Sequence, residues 1–296
     1  MRALVTGAGG FVGSWLVAHL GELGDEVAQV DREVDVNDDE ALRSVVVGFE
    51  PDAIYHLAAL THVGRSFAEP QQVMKVNALG TLSVLEAARA CPRPPRVLVV
   101  SSAEVYGAVA ERDLPLREES PLAPVSPYAA SKVSAEFLAI QANLAYGLET
   151  LRVRPFNHVG PGQSTDFAVA ALASRIVAAK RANQSWIPVG NLAARRDLSD
   201  VRDVVRAYRL LVCEGAPGAV YNVCSGRSVG IDEVAHKLLQ IAGANLELRP
   251  DARLVRPVDV PVLLGDPAKL EKQTGWSPEI DLDRTLADVL SYAERG

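Results

Sequence analysis

The pair with the clearest chemical potential is Tyr128 and Lys132, which lie four residues apart at the start of a predicted helix. This spacing places the phenol and the ammonium group on one helical face. A nearby ammonium charge favours the phenolate, so we expect the pKa of Tyr128 to be lowered from about 10 toward neutrality. Tyr128 could then exchange a proton with a carbonyl or hydroxyl oxygen. A pair with this spacing is also common on exposed helices, so the rest of the chain must decide between the two interpretations.

A glycine-rich turn near the N-terminus could hold a phosphate group. Residues 6–13 (TGAGGFVG) follow an apolar run and open a stretch with the apolar spacing of a helix. A strand, a tight turn and a helix in this order aim the first helical amides, and the positive end of the helix dipole, at an anion. We predict that Gly7, Gly10, Phe11 and Val12 cradle the pyrophosphate of a dinucleotide. A plain glycine-rich connection is the alternative.

The second predicted strand ends in an acidic residue that could select the dinucleotide. Asp31 follows the apolar run 27–30 and lies eighteen residues after Gly13, near the offset at which an acid meets the adenine ribose hydroxyls. A carboxylate there repels a 2′-phosphate, so we expect NAD(H) to be favoured. The adjacent Arg32 could bind a 2′-phosphate through its guanidinium fork, which keeps NADP(H) as the alternative.

Composition narrows the classes of protein. The chain has 296 residues, 48% of them hydrophobic, and a net charge of −7, typical of a globule in one or two domains. Without a basic stripe we expect no nucleic-acid partner. Cys91, Cys213 and Cys224 show no metal-ligand or disulfide spacing, so we expect no metal. No signal peptide or membrane-length apolar stretch is seen, so we expect no membrane partner and a cytoplasmic location.

Strand and helix patterns alternate along the first half of the chain. They predict an α/β fold with a doubly wound parallel Rossmann sheet of six or seven strands, complete near residue 157. A smaller C-terminal α/β lobe would bind the substrate. We therefore expect a dinucleotide-binding domain over 1–157 and a substrate lobe over 158–296, with about 198–225 returning to the first domain. A single long helix is predicted over residues 71–90.

The glycine spacing is Gly-x-x-Gly-x-x-Gly, because Val12 occupies the last glycine position of the commoner dinucleotide pattern. It resembles the short-chain dehydrogenase/reductase superfamily, and residues 6–13 look like its extended branch, the NAD-dependent epimerases and dehydratases. Ser102, Tyr128 and Lys132 follow the glycine loop in that family's order. The resemblance implies that Ser102 polarises a substrate carbonyl, while Lys132 tunes Tyr128 and holds the ribose.

Other residues are expected to line the cofactor site. Small side chains after the third strand would let the cofactor lie across the strand ends. The expected set is Asp35, Val36, Leu57, Ala58, Ala59, Asn77 and Pro155.

The segment 102–107 is similar to the active-site strand end of sugar-nucleotide dehydratases, in which Glu104 would take the C5 proton. Ala103 stands where those enzymes usually keep a polar group, so one of their catalytic pair is missing. The segment 154–163 resembles enzymes that handle GDP-linked deoxymannose, which implies reduction of the C4 ketone of a GDP-linked 6-deoxy-4-keto hexose. The substrate-binding residues expected from this resemblance are Ser102, Glu104, Tyr128, Asn157, Arg196 and Arg256.

Alternatives remain open at this stage. A GDP-mannose 4,6-dehydratase or a UDP-sugar 4-epimerase would use the same residues, and UDP- or dTDP-linked sugars are less favoured substrates. A non-catalytic sensor of NAD(P) or of a sugar nucleotide is more remote, because it would not need Ser102, Tyr128 and Lys132 together. The helices that begin near Gln71 and Tyr128 resemble those that pair two subunits in this family, which implies a homodimer.

Overall fold

A computed structural model of the chain describes residues 1–254 and 260–296. Strands and helices alternate through its first half. The strands there are β1 (Arg2–Thr6), β2 (Glu26–Val30), β3 (Ala53–His56), β4 (Arg96–Val100) and β5 (Thr150–Pro155). The helices are α1 (Phe11–Glu22), α2 (Asp39–Phe49), α3 (Val63–Ser66), α4 (Pro70–Met74), α5 (Gly80–Arg89) and α6 (Pro127–Tyr146), with 3₁₀ turns at Ala103–Tyr106 and Glu111–Asp113.

The second half contains shorter strands. They are β6 (Asn157–Val159), β7 (Trp186–Val189), β8 (Arg195–Asp200), β9 (Val220–Val223), β10 (Ser228–Gly230), β11 (Glu247–Pro250) and β12 (Val262–Leu263). The helices are α7 (Ala168–Arg181), α8 (Val201–Glu214), α9 (Ile231–Ile241), α10 (Ala268–Thr274) and α11 (Leu282–Arg295), with a 3₁₀ turn at Ala252–Leu254.

The main sheet has six parallel strands in the order β2-β1-β3-β4-β5-β9, which confirms the predicted doubly wound fold. The prediction that this sheet is complete near residue 157 is wrong, because its sixth strand is β9, where Val220 pairs with Arg152 of β5. The segment of α8 and β9 therefore packs on the first lobe. The division into domains 1–157 and 158–296 stays a prediction.

Helices cover both faces of this sheet. Along β1, Ala3 and Val5 pack in the core that contains α1 and α8, whereas Leu4 packs in the core beneath α2, α5 and α6. Successive side chains of a strand point to opposite faces, so a strand covered on both sides must be apolar throughout. The run 97–100 has this composition, and Leu98 is fully buried at the middle of the sheet.

The second lobe has its own core. Strands β6, β10 and β12 all pair with β8, while β7 pairs with β11. Buried side chains of α7, α9 and α11, such as Ile176, Leu238 and Leu286, pack together beside these strands. Within the part of the chain that the structure describes, no helix is both long and apolar enough to cross a membrane.

The helix predicted over residues 71–90 is interrupted. A π-helical turn, Lys75–Leu79, separates α4 from α5. Asn77 lies in this turn and is 1% exposed. Asparagine is a poor helix former because its side chain competes for nearby backbone groups, so a buried Asn77 suits a local break in the helical bonding.

Candidate active site

A cavity of about 1170 Å³ lies at the carboxyl ends of the parallel strands and extends to the second lobe. Ligands of open parallel sheets bind at this edge, where the strand order reverses, here between β1 and β3. The predicted site residues that line the cavity are Gly7, Gly10, Phe11, Val12, Asp31, Arg32, Leu57, Ala58, Ala59, Ser102, Glu104, Tyr128, Lys132, Pro155, Asn157 and Arg196.

Four predicted site residues are not among the lining residues. Arg256 lies outside the described residues. The oxygen Oδ1 of Asp35 accepts hydrogen bonds from the backbone and side-chain nitrogens of Asn37 (2.9 and 3.0 Å), which lower the pKa of Asp35. Val36 packs against Gly80 and is 7% exposed, because it fills the space that this glycine leaves open. The fourth residue is Asn77.

The side chain of Asn77 forms hydrogen bonds with other protein groups and is not among the residues that line the cavity. Its Oδ1 accepts from the backbone nitrogen of Leu60 (2.7 Å), and its Nδ2 donates to the Leu60 oxygen (3.0 Å) and to Ser131 Oγ (2.9 Å). Ser131 in turn donates to the backbone oxygen of Tyr128 (2.7 Å). These bonds fix the loop after β3 against the helix that carries Tyr128, and contact between Asn77 and the cofactor stays a prediction.

The glycine loop leaves room for a phosphate. Gly7 has a φ of +70°, and a Cβ there would lie 2.8 Å from the backbone nitrogen of Ala58. Helix α1 begins at Phe11, and its first internal bond runs from Ser14 to Gly10 (2.9 Å). The amides before Ser14 have no partner within the helix and carry the positive end of its dipole. These features fit an anion that approaches the loop backbone closely.

Asp31 follows β2 and reaches over the glycine loop. A Cβ built on Gly9 would collide with Oδ2 of Asp31, so the carboxylate lies directly above this glycine. Asp31 and Arg32 both line the cavity. The placement suits recognition of an adenine ribose by Asp31.

Helix α6 presents the proton-transfer pair. Ser126 caps the helix by accepting from the nitrogen of Ala129 (3.1 Å), and Pro127 occupies the first helical position. Tyr128 therefore lies in the first turn, 7% exposed, and Lys132 one turn later, 5% exposed. Lys132 Nζ donates to the backbone oxygen of Val100 (2.8 Å) at the end of β4.

The pKa of Tyr128 moves in the direction opposite to our prediction. Burial raises this pKa to about 12, a hydrogen bond with Ser102 opposes the rise, and the charge of Glu104 adds to it. Burial also lowers the pKa of Lys132 to about 8, against the opposing charge of Glu136. Loss of water disfavours a phenolate more than the surrounding groups favour it. Tyr128 is therefore protonated at neutral pH.

Glu104 stands next to this pair. The Ser102 hydroxyl accepts from the nitrogen of Glu104 (3.2 Å) and thereby caps the 3₁₀ turn Ala103–Tyr106. Glu104 is half-buried and lines the cavity with Ser102 and Tyr128. Ala103 is fully buried and supplies only a methyl group beside them.

The far side of the cavity carries buried polar atoms without protein partners. Among the described residues that line it, these atoms are Asn157 Oδ1, Gln163 Oε1 and Tyr208 OH. Buried polar groups are almost always bonded, so these atoms indicate contacts made to a ligand or to water. No motif or spacing in the sequence selects Tyr208, which lies on the buried face of α8. Gln163 could have been selected, because it ends the segment 154–163.

Two further residues on this side make contacts of their own. Arg196 donates from Nη1 to the backbone oxygens of Arg195 (2.8 Å) and Val260 (2.7 Å). His158 donates from Nδ1 to the Phe156 oxygen (3.1 Å), and burial lowers its pKa. This bond fixes the orientation of the His158 ring. Within the described ranges, no group of three or more His, Cys, Asp or Glu is placed to hold a metal ion.

A parallel doubly wound sheet, a glycine loop at its switch point and a Ser-Tyr-Lys group at the same edge define an extended short-chain dehydrogenase/reductase. Family comparison agrees: the GDP-mannose 4,6-dehydratase model matches residues 32–289. The chain belongs to this family, and the resemblance found in the sequence is confirmed.

Individual relatives cover the whole chain. It is 39% identical over 293 residues to the GDP-6-deoxy-D-mannose reductase of Pseudomonas aeruginosa, covering 98% of this chain and 96% of the relative. The structure of RMD from Pseudomonas aeruginosa complexed with NADPH superposes with a TM-score of 0.92 at 38% identity, covering 100% and 99% of the two chains. A UDP-glucose 4-epimerase from Thermus thermophilus with NAD gives 0.89 at 30% identity, with coverages of 100% and 99%.

Proposed function

We propose that this protein reduces the C4 ketone of a GDP-linked 6-deoxy-4-keto hexose, GDP-4-keto-6-deoxy-mannose, to give GDP-rhamnose. The observation that carries the proposal is the position of Ser102, Tyr128 and Lys132 in one cavity with the glycine loop. The identity to a GDP-6-deoxy-D-mannose reductase supports the choice of substrate. A bound reduced nicotinamide dinucleotide would supply the hydride, held by the glycine loop, Asp31 and Lys132.

Each residue around the ketone has its own role in this reaction. Tyr128 gives its proton to the carbonyl oxygen as the alkoxide forms, and its high pKa ensures that this proton is present at neutral pH. Ser102 donates a hydrogen bond to the same oxygen. Lys132 stabilises the phenolate that remains and holds the ribose. Glu104 and Asn157 hold the hexose, and Arg196 with Arg256 would bind the diphosphate.

Dehydration is the main competing reaction. Glu104 could remove the C5 proton, and the matching family model describes a dehydratase. Elimination also needs a proton for the departing C6 hydroxyl, and the buried methyl group of Ala103 cannot donate one. Net reduction needs no such donor, so the geometry favours it.

The cofactor choice is the finer part of the proposal. Asp31 lies above Gly9 on the ribose side of the cavity, which favours NADH, while the NADPH complex of the Pseudomonas relative makes NADPH the alternative. Arg32 lines the same cavity and could bind a 2′-phosphate. We propose that the carboxylate dominates, because an exposed arginine contributes only about 1 kcal/mol.

We also propose a homodimer formed through α6 and the helical segment that begins near Gln71, which comprises α4, the π turn and α5. Large apolar side chains on α6 and on the π turn that precedes α5 are exposed, namely Leu79 (55%), Phe137 (59%) and Leu144 (79%). Clustered exposed apolar groups mark interaction surfaces. Sedimentation at micromolar concentration should give twice the mass of 31.6 kDa, and Phe137→Glu should shift the protein toward the monomer. A wild type that sediments only as a monomer contradicts this proposal.

The reaction is tested by supplying purified protein with GDP-4-keto-6-deoxy-mannose and either NADH or NADPH. We expect one cofactor to be oxidised for each sugar reduced, with GDP-rhamnose as the product. UDP- and dTDP-linked keto sugars serve as controls and should turn over more slowly. Conversion of GDP-mannose to the keto sugar without net oxidation of cofactor would instead establish a dehydratase.

A further inference from the structure

The inner face of α6 carries a third buried polar residue that the proposed reaction does not use. Tyr128, Lys132 and Glu136 are spaced by four, so they lie on one side of the helix. Glu136 is only 1% exposed, which is rare for a carboxylate. A buried charge must have partners to be tolerated. The partners of Glu136 are Ser101, which follows β4, and Arg154 of β5.

Three successive residues from the end of β4 onward form hydrogen bonds with this face of α6. The backbone oxygen of Val100 accepts from Lys132 Nζ (2.8 Å). The next residue, Ser101, donates from Oγ to Oε1 of Glu136 (2.6 Å). The residue after that, Ser102, bonds the phenol of Tyr128. Ser101 lies between Val100, which bonds Lys132, and Ser102, which bonds Tyr128. The bond from Ser101 to Glu136 therefore helps to fix the backbone that places Ser102.

An arginine of β5 locks the carboxylate in place. Arg154 donates from Nε to Oε1 of Glu136 (2.8 Å) and from Nη2 to Oε2 (2.7 Å), and both side chains are buried. Such paired bonds fix orientation as well as charge. The remaining Nη1 donates to the hydroxyl of Tyr106 (2.9 Å), in the 3₁₀ turn that carries Glu104. The carboxylate therefore links α6, β4, β5 and that turn.

The charge of Glu136 also acts on Lys132. Burial lowers the pKa of Lys132 to about 8, and the negative charge of Glu136, one helical turn away, opposes this fall. Burial lowers the pKa of His56, on β3, to about 3, so His56 is neutral and gives Lys132 no positive neighbour. Tyr128 is protonated and adds no charge. The cations of β5, Arg154 and Arg152, are themselves paired with Glu136 (2.7 and 3.8 Å).

We propose that Glu136 is a positioning residue, whose buried carboxylate keeps Lys132 in its charged form and holds the strand end that carries Ser102. The role in turnover rests on the proposed reductase function, whereas the effect on Lys132 does not. Glu136 is not among the residues that line the cavity, so it would act through Lys132 and Ser101.

The test compares wild type with Glu136→Gln, which keeps the shape and removes the charge. Cofactor affinity is measured by the fluorescence of bound NADH and NADPH between pH 6 and pH 10, because charged Lys132 would hold the ribose. We expect the affinities to agree within about threefold at pH 6, where Lys132 is charged in both proteins. The loss of affinity with rising pH should begin about one pH unit lower in the variant. Keto-sugar reduction should show the same displacement.

Asp203→Asn is the matched control. Asp203 is also a buried carboxylate paired with an arginine, Arg206 (2.8 Å), but it lies outside the cavity lining. The pH dependence of cofactor affinity in Asp203→Asn should coincide with that of wild type.

A purely structural role for Glu136 predicts a different result. It would lower affinity or turnover by the same factor at every pH, and that outcome overturns the proposal. If Glu136→Gln does not fold, the double variant Glu136→Gln with Arg154→Met also removes the buried cation that lies closest to Glu136, and the same displacement is expected of it. A wild type without reductase activity would refute the proposed function alone, since the cofactor titration would still test Glu136.

Discussion

The two sides of the cavity are built in different ways. The phosphate-binding part of the cofactor side is formed by backbone from the first sixty residues, where Gly7 donates to the oxygen of Val30 (2.7 Å) and Leu57 donates to the oxygen of Thr6 (3.2 Å). The substrate side consists of side chains from distant segments, and two of its buried acceptors, on Asn157 and Gln163, have no protein partner. The cofactor side thus offers backbone amides to its ligand, whereas the substrate side offers side-chain acceptors.

This difference teaches where specificity can vary. A phosphate cradle made of backbone amides and glycine φ angles accepts few substitutions, because a side chain there collides with backbone. A surface of side chains can change its hydrogen-bonding pattern one residue at a time. Substitutions in the glycine loop should therefore affect cofactor binding through shape, whereas those on the substrate side should affect substrate binding through single contacts.

The largest effect on turnover should come from substitution of Tyr128, the proposed proton donor. Tyr128→Phe removes the proton donor and leaves the packing of α6 in place, so turnover should fall by about 10²–10⁴-fold. Cofactor affinity should stay near that of wild type in a fluorescence titration. Tyr146→Phe, an exposed position on the same helix, is the control and should be fully active. Activity of Tyr128→Phe within tenfold of wild type, a ΔΔG‡ of at most about 1.4 kcal/mol, would exclude Tyr128 as the acid.

A substitution in the glycine loop tests the rigidity of the cofactor side. Gly7→Ala must tolerate a φ of +70° and a Cβ 2.8 Å from the nitrogen of Ala58. The left-handed conformation alone costs about 1–2 kcal/mol, so we expect cofactor affinity to fall by about 10²-fold and the melting temperature to fall as well. Gly21→Ala, on α1 with nothing within 4 Å of its Cβ, should leave cofactor binding unchanged. Equal cofactor affinity in the two variants would show that the loop is adaptable.

A substitution on the substrate side should have a smaller and more selective effect. Asn157→Ala removes an unpaired acceptor at the cavity wall, so KM for the keto sugar should rise about tenfold, the value of one hydrogen bond. The Kd of the cofactor should not change. Initial rates and cofactor titration measure the two quantities separately. A cofactor Kd that rises with KM would contradict the separation of the two sides.

The smallest effect concerns the choice between cofactors. We expect the wild type to bind NADH more tightly than NADPH, and Asp31→Ala to narrow this preference by about fivefold, because the repulsion of a 2′-phosphate is lost. Asp31→Asn keeps the shape and should give the same direction of change. Titration of both cofactors decides the matter. A wild type that binds NADPH tenfold more tightly would show that Arg32 and not Asp31 sets the choice.

Local patterns in the sequence determined much of the fold and part of the site. The glycine loop, the apolar run of β4 and the spacing of Tyr128 and Lys132 are contiguous, and each is read from one strand, turn or helix. They were sufficient to predict the doubly wound sheet and the residues at its carboxyl edge. Most of the predicted cofactor residues do line the cavity.

Only the tertiary structure decided how those groups behave. Burial raises the pKa of Tyr128, because the loss of water outweighs the nearby charges, and no spacing along the chain reveals that balance. Likewise β9 completes the sheet from far along the sequence, Asn77 bonds to Leu60 and to Ser131 of α6, and Glu136 meets Arg154 only through the packing of α6 on β5. These features depend on solvent exclusion and contacts between distant segments, which a sequence pattern does not contain.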